Sequence, residues 1–126
     1  MKKPLVSVLF VLLLYGVGFA AWTTLYGPRD KNPVDQTWMK VQDDTSSNKI
    51  RVKAWDVHLG ACPDGQVTME IRISNCAGEL LHEEEGVEES EYVEFDNVPA
   101  EFQVDVKAVC SNPQSILGTE HWDNCP

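Results

Sequence analysis

Three histidines, four cysteines and twenty carboxylates give this 126-residue chain its chemical range. His58, His82 and His121 each stand beside acidic or aromatic residues, and no two are spaced as metal ligands. Asp56 and His58, two positions apart, face the same way on a strand and offer two ligands where a structural zinc site wants four. All three histidines therefore read as surface residues. Cys62, Cys76, Cys110 and Cys125 contain no C-x-x-C or C-x-x-C-H spacing. The zinc ribbon, the thioredoxin-type redox pair and attached haem all lack their residues. Ser46, Ser47, Ser90, Ser111 and Ser115 lack the Gly-x-Ser-x-Gly elbow of a hydrolase nucleophile. Six carboxylates lie between Glu83 and Glu91, but their spacing matches no calcium loop and reads as a solvated acidic loop. A glycosidase pair is compatible with so many glutamates, yet the chain is short of material to wall a cleft. The expectation is a non-enzyme with no catalytic, cofactor-binding or metal-ligating residue.

Such residues need a scaffold, and the start of the chain says where it is built. Lys2 and Lys3 precede an apolar run from Leu5 to Leu14, and Gly18-Phe19-Ala20 supplies small residues at the positions a signal peptidase reads. This pattern predicts a secretory signal peptide over residues 1–20, cleaved between Ala20 and Ala21. The run is shorter than the roughly 20 apolar residues that span a bilayer, and no cysteine adjoins the cleavage point for lipidation. No membrane anchor is expected after cleavage. In an exported chain four cysteines read as two disulfides, the staples a small domain with a modest core needs.

Charge narrows the partners. Of ten Lys and Arg residues, Lys2 and Lys3 leave with the signal, so eight cations face twenty carboxylates and the mature net charge is 8 − 20 = −12. That disfavours nucleic acid and anionic membrane surfaces.

Residues 21–126 read as a single β-domain. Residues 21–48 are predicted to be an irregular leading segment. Tyr26 to Pro33 is dense in turn formers, and Thr37 to Val41 offers a short strand carrying Trp38. From residue 49 to 126 period-two alternation predicts an antiparallel sheet. Ile50, Val52 and Ala54 share one face against Arg51 and Lys53; Val67, Met69, Ile71 and Ile73 repeat the pattern, as do Phe102, Val104, Val106 and Ala108. Val93 and Phe95 begin another strand, Asn75 to Gly78 makes a turn, and Glu79 to His82 a short strand. The class is all-β, a small antiparallel sandwich or single sheet. If successive strands reverse from Lys49 onward, Cys62 and Cys110 fall at one end and Cys76 and Cys125 at the other. An eight-residue strand spans roughly 26 Å, against the roughly 6 Å a disulfide tolerates between Cα atoms. This favours Cys62–Cys110 with Cys76–Cys125, although sequence alone does not fix connectivity.

Four tryptophans remain. Trp55, at a strand end, is assigned to the core. Trp22 and Trp38, in the leading segment, either present an exposed aromatic contact surface for protein or sugar or plug an open end of the sandwich.

Two resemblances bear on architecture and role. Tyr92-Val93-Glu94-Phe95-Asp96-Asn97-Val98-Pro99-Ala100 resembles a turn of prealbumin-like sandwich modules, with Glu101-Phe102 in place of the usual Gly-x-Tyr. Leu25 to Pro33, Trp55 to Pro63 and Trp122 to Pro126, in that order behind a signal peptide, resemble the separately encoded globular chain of the split type IV pilins of iron-reducing bacteria. That resemblance implies a structural subunit of a surface filament, reached through the periplasm, which joins non-covalently to a short helical pilin chain. Trp22, Tyr26 and Trp38 are the expected contacts. The chain cannot supply the filament's helix, because its apolar run precedes Gly18-Phe19 and no glutamate sits at the fifth position after it. The competing roles are a secreted carbohydrate-binding or adhesive module using the same tryptophans, and an inhibitor presenting the loop from Leu59 to Gly65. The export step is checked by intact mass: protein recovered from cells should lack residues 1–20, and a mature species retaining Met1 would refute it.

Overall fold

The computed structural model describes residues 21–27, 36–44, 47–58, 61–63, 65–111 and 114–126. The predicted signal peptide, most of the turn-rich stretch after Tyr26 and part of the proposed inhibitor loop lie outside them. Alternating apolar residues build eight strands: β1 (Trp22–Tyr26), β2 (Thr37–Asp44), β3 (Lys49–Asp56), β4 (Val67–Asn75), β5 (Leu80–Glu88), β6 (Tyr92–Phe95), β7 (Phe102–Ser111) and β8 (Gln114–Asp123). They form two four-stranded antiparallel sheets, ordered β1-β2-β3-β6 and β5-β4-β7-β8. The chain alternates between them, so its crossings tie one sheet to the other. The result is a small disulfide-stapled β-sandwich.

The core is the seam between the sheets. Met39, Val41, Ile50, Val52 and Ala54 meet Met69, Ile71, Ile73, Val104, Val106 and Ala108, all at most 3% exposed. Phe95, Val98 and Phe102 fill one end. The predicted inward residues of β3, β4 and β7 lie here, Val67 only partly buried.

Two expectations need correction. Residues 21–48 are not irregular throughout: β1 and β2 form half of the first sheet. Polar residues obscured them, since Thr37, Gln42 and Asp44 are buried in β2 without being apolar, and β1 carries a bulge between Thr24 and Tyr26. The acidic stretch is mostly not a loop, because β5 runs on to Glu88 before the turn at Glu89 and Ser90. As an edge strand with a bulge at Gly86 (φ 67°), it uses its glutamates to discourage pairing with a further strand. β8 had no alternating apolar pattern because its positions opposite Val106 and Ala108 are Glu120 and Gly118. Glycine is required at 118: a Cβ there would overlap the Thr37 hydroxyl of β2.

The disulfides are Cys62–Cys110 and Cys76–Cys125, with Cα separations of 5.3 and 5.7 Å. This is the pairing that strand direction favours. One ties the β3–β4 crossing to the end of β7, and the other ties the β4–β5 turn to the chain after β8. They close loops of 48 and 49 residues, each removing denatured-state freedom equivalent to about 4 kcal/mol. Paired replacement Cys62→Ser/Cys110→Ser should lower the unfolding free energy in urea by about that amount; a change under about 1 kcal/mol would show that this staple is dispensable.

Candidate functional site

Burying one face of each strand in the seam sends the alternate residues of β1, β2, β3 and β6 to the opposite face of their sheet. That outer face is unusual in composition. Strand register places Trp38 beside Trp55, Lys40 beside Lys53 and Gln42 beside Arg51, with Tyr92 beyond Lys53 and Glu94 beyond Arg51. Trp22 completes the row from β1.

The side chains interlock. Arg51 lies between two rings, its guanidinium carbon 4.5 Å from the centre of Trp22 and 4.1 Å from that of Tyr92. Its Nε donates to Gln42 Oε1 at 2.6 Å, and Gln42 Nε2 donates to Thr24 Oγ1 at 3.0 Å, so a polar chain across three strands holds the guanidinium in place. Lys53 Nζ sits 4.9 Å from the centre of Tyr92 and 5.8 Å from that of Trp55. Trp55 and Trp38 lie 6.3 Å apart with ring planes 8° from parallel, forming a flat two-ring platform. Cation–π pairing orders these long side chains before any ligand arrives.

Of the expected contact residues, Trp22 and Trp38 share this face, roughly 20 Å apart along β2. Tyr26 does not. It stacks on Trp122 at 6.2 Å, and Trp122 meets Phe102 edge-on, closing the flank where β1 meets β8. Trp55 is not a core residue; it belongs to the outer platform, because its neighbours Ala54 and Asp56 take the inward phase. Arg51 and Lys53 were legible as outward residues, but their association with Trp22, Tyr92 and Trp55 depends on strand register.

The histidines have found other tasks. Asp56, whose side chain is 1% exposed, accepts a hydrogen bond from the Thr37 hydroxyl at 2.6 Å and lies 2.5 Å from His58 Nδ1. The carboxylate and imidazole, which sequence offered as two ligands, too few for a metal site, are thus bonded to one another. The imidazole borders a polar cleft of about 230 Å³ lined by Thr37, His58, Leu117 and Gly118. Asp56 stands between the hydroxyl and the imidazole and joins β2 to β3. His82 packs on Phe95. No group of three or more His, Cys, Asp or Glu side chains arranged to hold a metal ion occurs among the described residues.

His121, on the outer face of the second sheet, has Asp105 Oδ1 2.7 Å from Nδ1 and Asp123 Oδ2 2.8 Å from Nε2. The bond to Asp123 and then that to Asp105 raise the imidazole's pKa above its ordinary 6.5, and His121 in turn lowers the Asp123 carboxyl below its ordinary 3.8. No protein-family model, characterised protein or solved structure matches this chain.

The His121 cluster makes a signed pH prediction. Its histidine contribution is fully present below pH 6.5 and fades as pH rises through the raised value; its Asp123 contribution is present above pH 3.8 and fades as pH falls through the lowered one. The exposed pair is screened by solvent, so the effect is small. In paired urea titrations, His121→Gln should cost more stability at about pH 5 than at about pH 8.5. An equal cost at both would refute the charged pairing.

Proposed function

We propose that this chain is a non-catalytic structural subunit of a type IV pilus-like surface filament, the globular β-domain that docks on a separate short helical pilin chain. The observation that carries the proposal is the outer face of β1, β2, β3 and β6. It gathers Trp22, Trp38, Trp55 and Tyr92 on one side of a sheet. Large aromatic residues dominate protein interfaces because they bury much area at little conformational cost. The two disulfides are compatible with an extracellular or periplasmic setting.

The sandwich also alters how such a partner would be held. The two inner faces are satisfied by each other, so the helix does not complete a gap in the core. It lies against the outside of one sheet, which lets the domain fold before it assembles. Tyr26, turned to Trp122, supports the flank of that sheet.

A secreted carbohydrate-binding module is the second reading, favoured by the near-parallel rings of Trp38 and Trp55, a platform on which a sugar ring can stack. One substitution separates the two. Trp38→Ala should weaken co-purification with the helical chain by about 1–2 kcal/mol, roughly tenfold, without creating or removing any glycan-array signal. Deleting the gene should destabilise the filaments, since an uncovered helix exposes its apolar stripe to water. Normal filament number in the deletion would remove the subunit proposal, and a glycan signal lost in Trp38→Ala would put the sugar module in its place.

A further inference from the structure

We infer that the segment docking on the outer face of β1, β2, β3 and β6 is acidic, a helix that sets two carboxylates one turn apart against Arg51 and Lys53 and apolar side chains against Trp38 and Trp55. The inference rests on the filament-subunit reading and specifies the chemistry of its partner.

Charge complementarity carries it. Residues 21–126 hold eight cations against twenty carboxylates, yet Lys40, Lys49, Arg51 and Lys53 all project from this one face. Half of the cations of a strongly acidic domain are therefore gathered on one side of one sheet. On the opposite outer face Arg72 is paired with Glu83, and on this face Lys49 lies 3.7 Å from Asp96. Lys40, Arg51 and Lys53 form no ion pair among the described residues.

Lys40 and Lys53 are also direct cross-strand partners. Like charges so placed repel, and their Cβ atoms stand about 5 Å apart. A carboxylate seated beside both side chains offsets that repulsion. Arg51 is equally prepared for an anion. Its Nε is used on Gln42, which leaves the four N–H donors of the two terminal nitrogens for a carboxylate. Trp22 and Tyr92 have already displaced water from its faces.

For the helix of the filament-subunit reading, spacing sets a definite pattern. Arg51, Lys53 and Trp55 succeed one another on β3 at intervals of about 6.8 Å. Residues four apart on an α-helix rise about 6 Å. A helix laid along β3 thus places acidic residues at i and i+4 on Arg51 and Lys53, and apolar residues at i+7 and i+8 on the tryptophan platform.

The test uses the mature domain and two synthetic helical peptides, one with Glu at i and i+4 and Leu at i+7 and i+8, the other with Gln replacing Glu. The Glu peptide should bind at least about tenfold more tightly at low salt, an advantage lost in about 0.5 M NaCl. The variant Arg51→Gln/Lys53→Gln, with an unchanged melting temperature, should bind both peptides alike. Equal binding of both peptides by the wild-type domain overturns the acidic preference and leaves a helix-docking face. Binding of neither overturns the inference and the subunit reading together. Binding of alginate, a polyuronate, that the double variant loses, without peptide binding, reassigns the face to an acidic glycan.

Discussion

Everything in this molecule depends on the burial of two apolar sheet faces against each other. A strand has only two sides. Once Val41, Val52, Ile71 and Val106 enter the seam, the residues between them must stand outside, whatever their chemistry. That constraint turns Arg51 and Lys53 to the surface of one sheet and Asp105 and His121 to the surface of the other. The outer faces are the obligatory complement of the core, and their compositions differ sharply.

A domain of this size closes its seam with more than apolar area. The disulfides hold opposite ends, so β4 is anchored near both of its termini. One flank is shut by Tyr26, Trp122 and Phe102. Next to it, Gly118 lets β8 approach β2 closely, beside the bond by which Thr37 and the buried Asp56 join β2 to β3. The other flank has β5 at its edge, where glutamates and a bulge deter further strands. These devices leave the β1-β2-β3-β6 face as the broad aromatic surface of the fold.

That face combines two features. It concentrates cations, and it sandwiches the most important of them between aromatic rings. Rings and guanidinium order one another, so little side-chain entropy remains to be lost on this face. In the proposed docking, apolar contact supplies affinity, while the cations select orientation and sign. This differs from a contact dominated by apolar burial alone, which the net charge by itself would suggest.

The class, the inward residues of β3, β4 and β7, and the favoured disulfide pairing follow from local pattern: period two marks a half-buried strand, and chain reversal brings Cys62 near Cys110 and Cys76 near Cys125. Pattern failed where a strand did not need apolar alternation. β1 and β8 lie at sheet edges, β2 buries polar side chains in hydrogen bonds, and β5 is an edge strand written in glutamate. The outward phase of Arg51 and Lys53 was legible, as was the abundance of tryptophan. Which rings the cations meet was not, because cross-strand neighbours are set by register over long sequence separations. Only the tertiary structure moved Trp55 from the core to the platform, turned Tyr26 towards Trp122 and joined Trp22, Arg51 and Tyr92. Local sequence determines which side of a strand a residue takes, whereas the packing of distant strands decides what stands beside it.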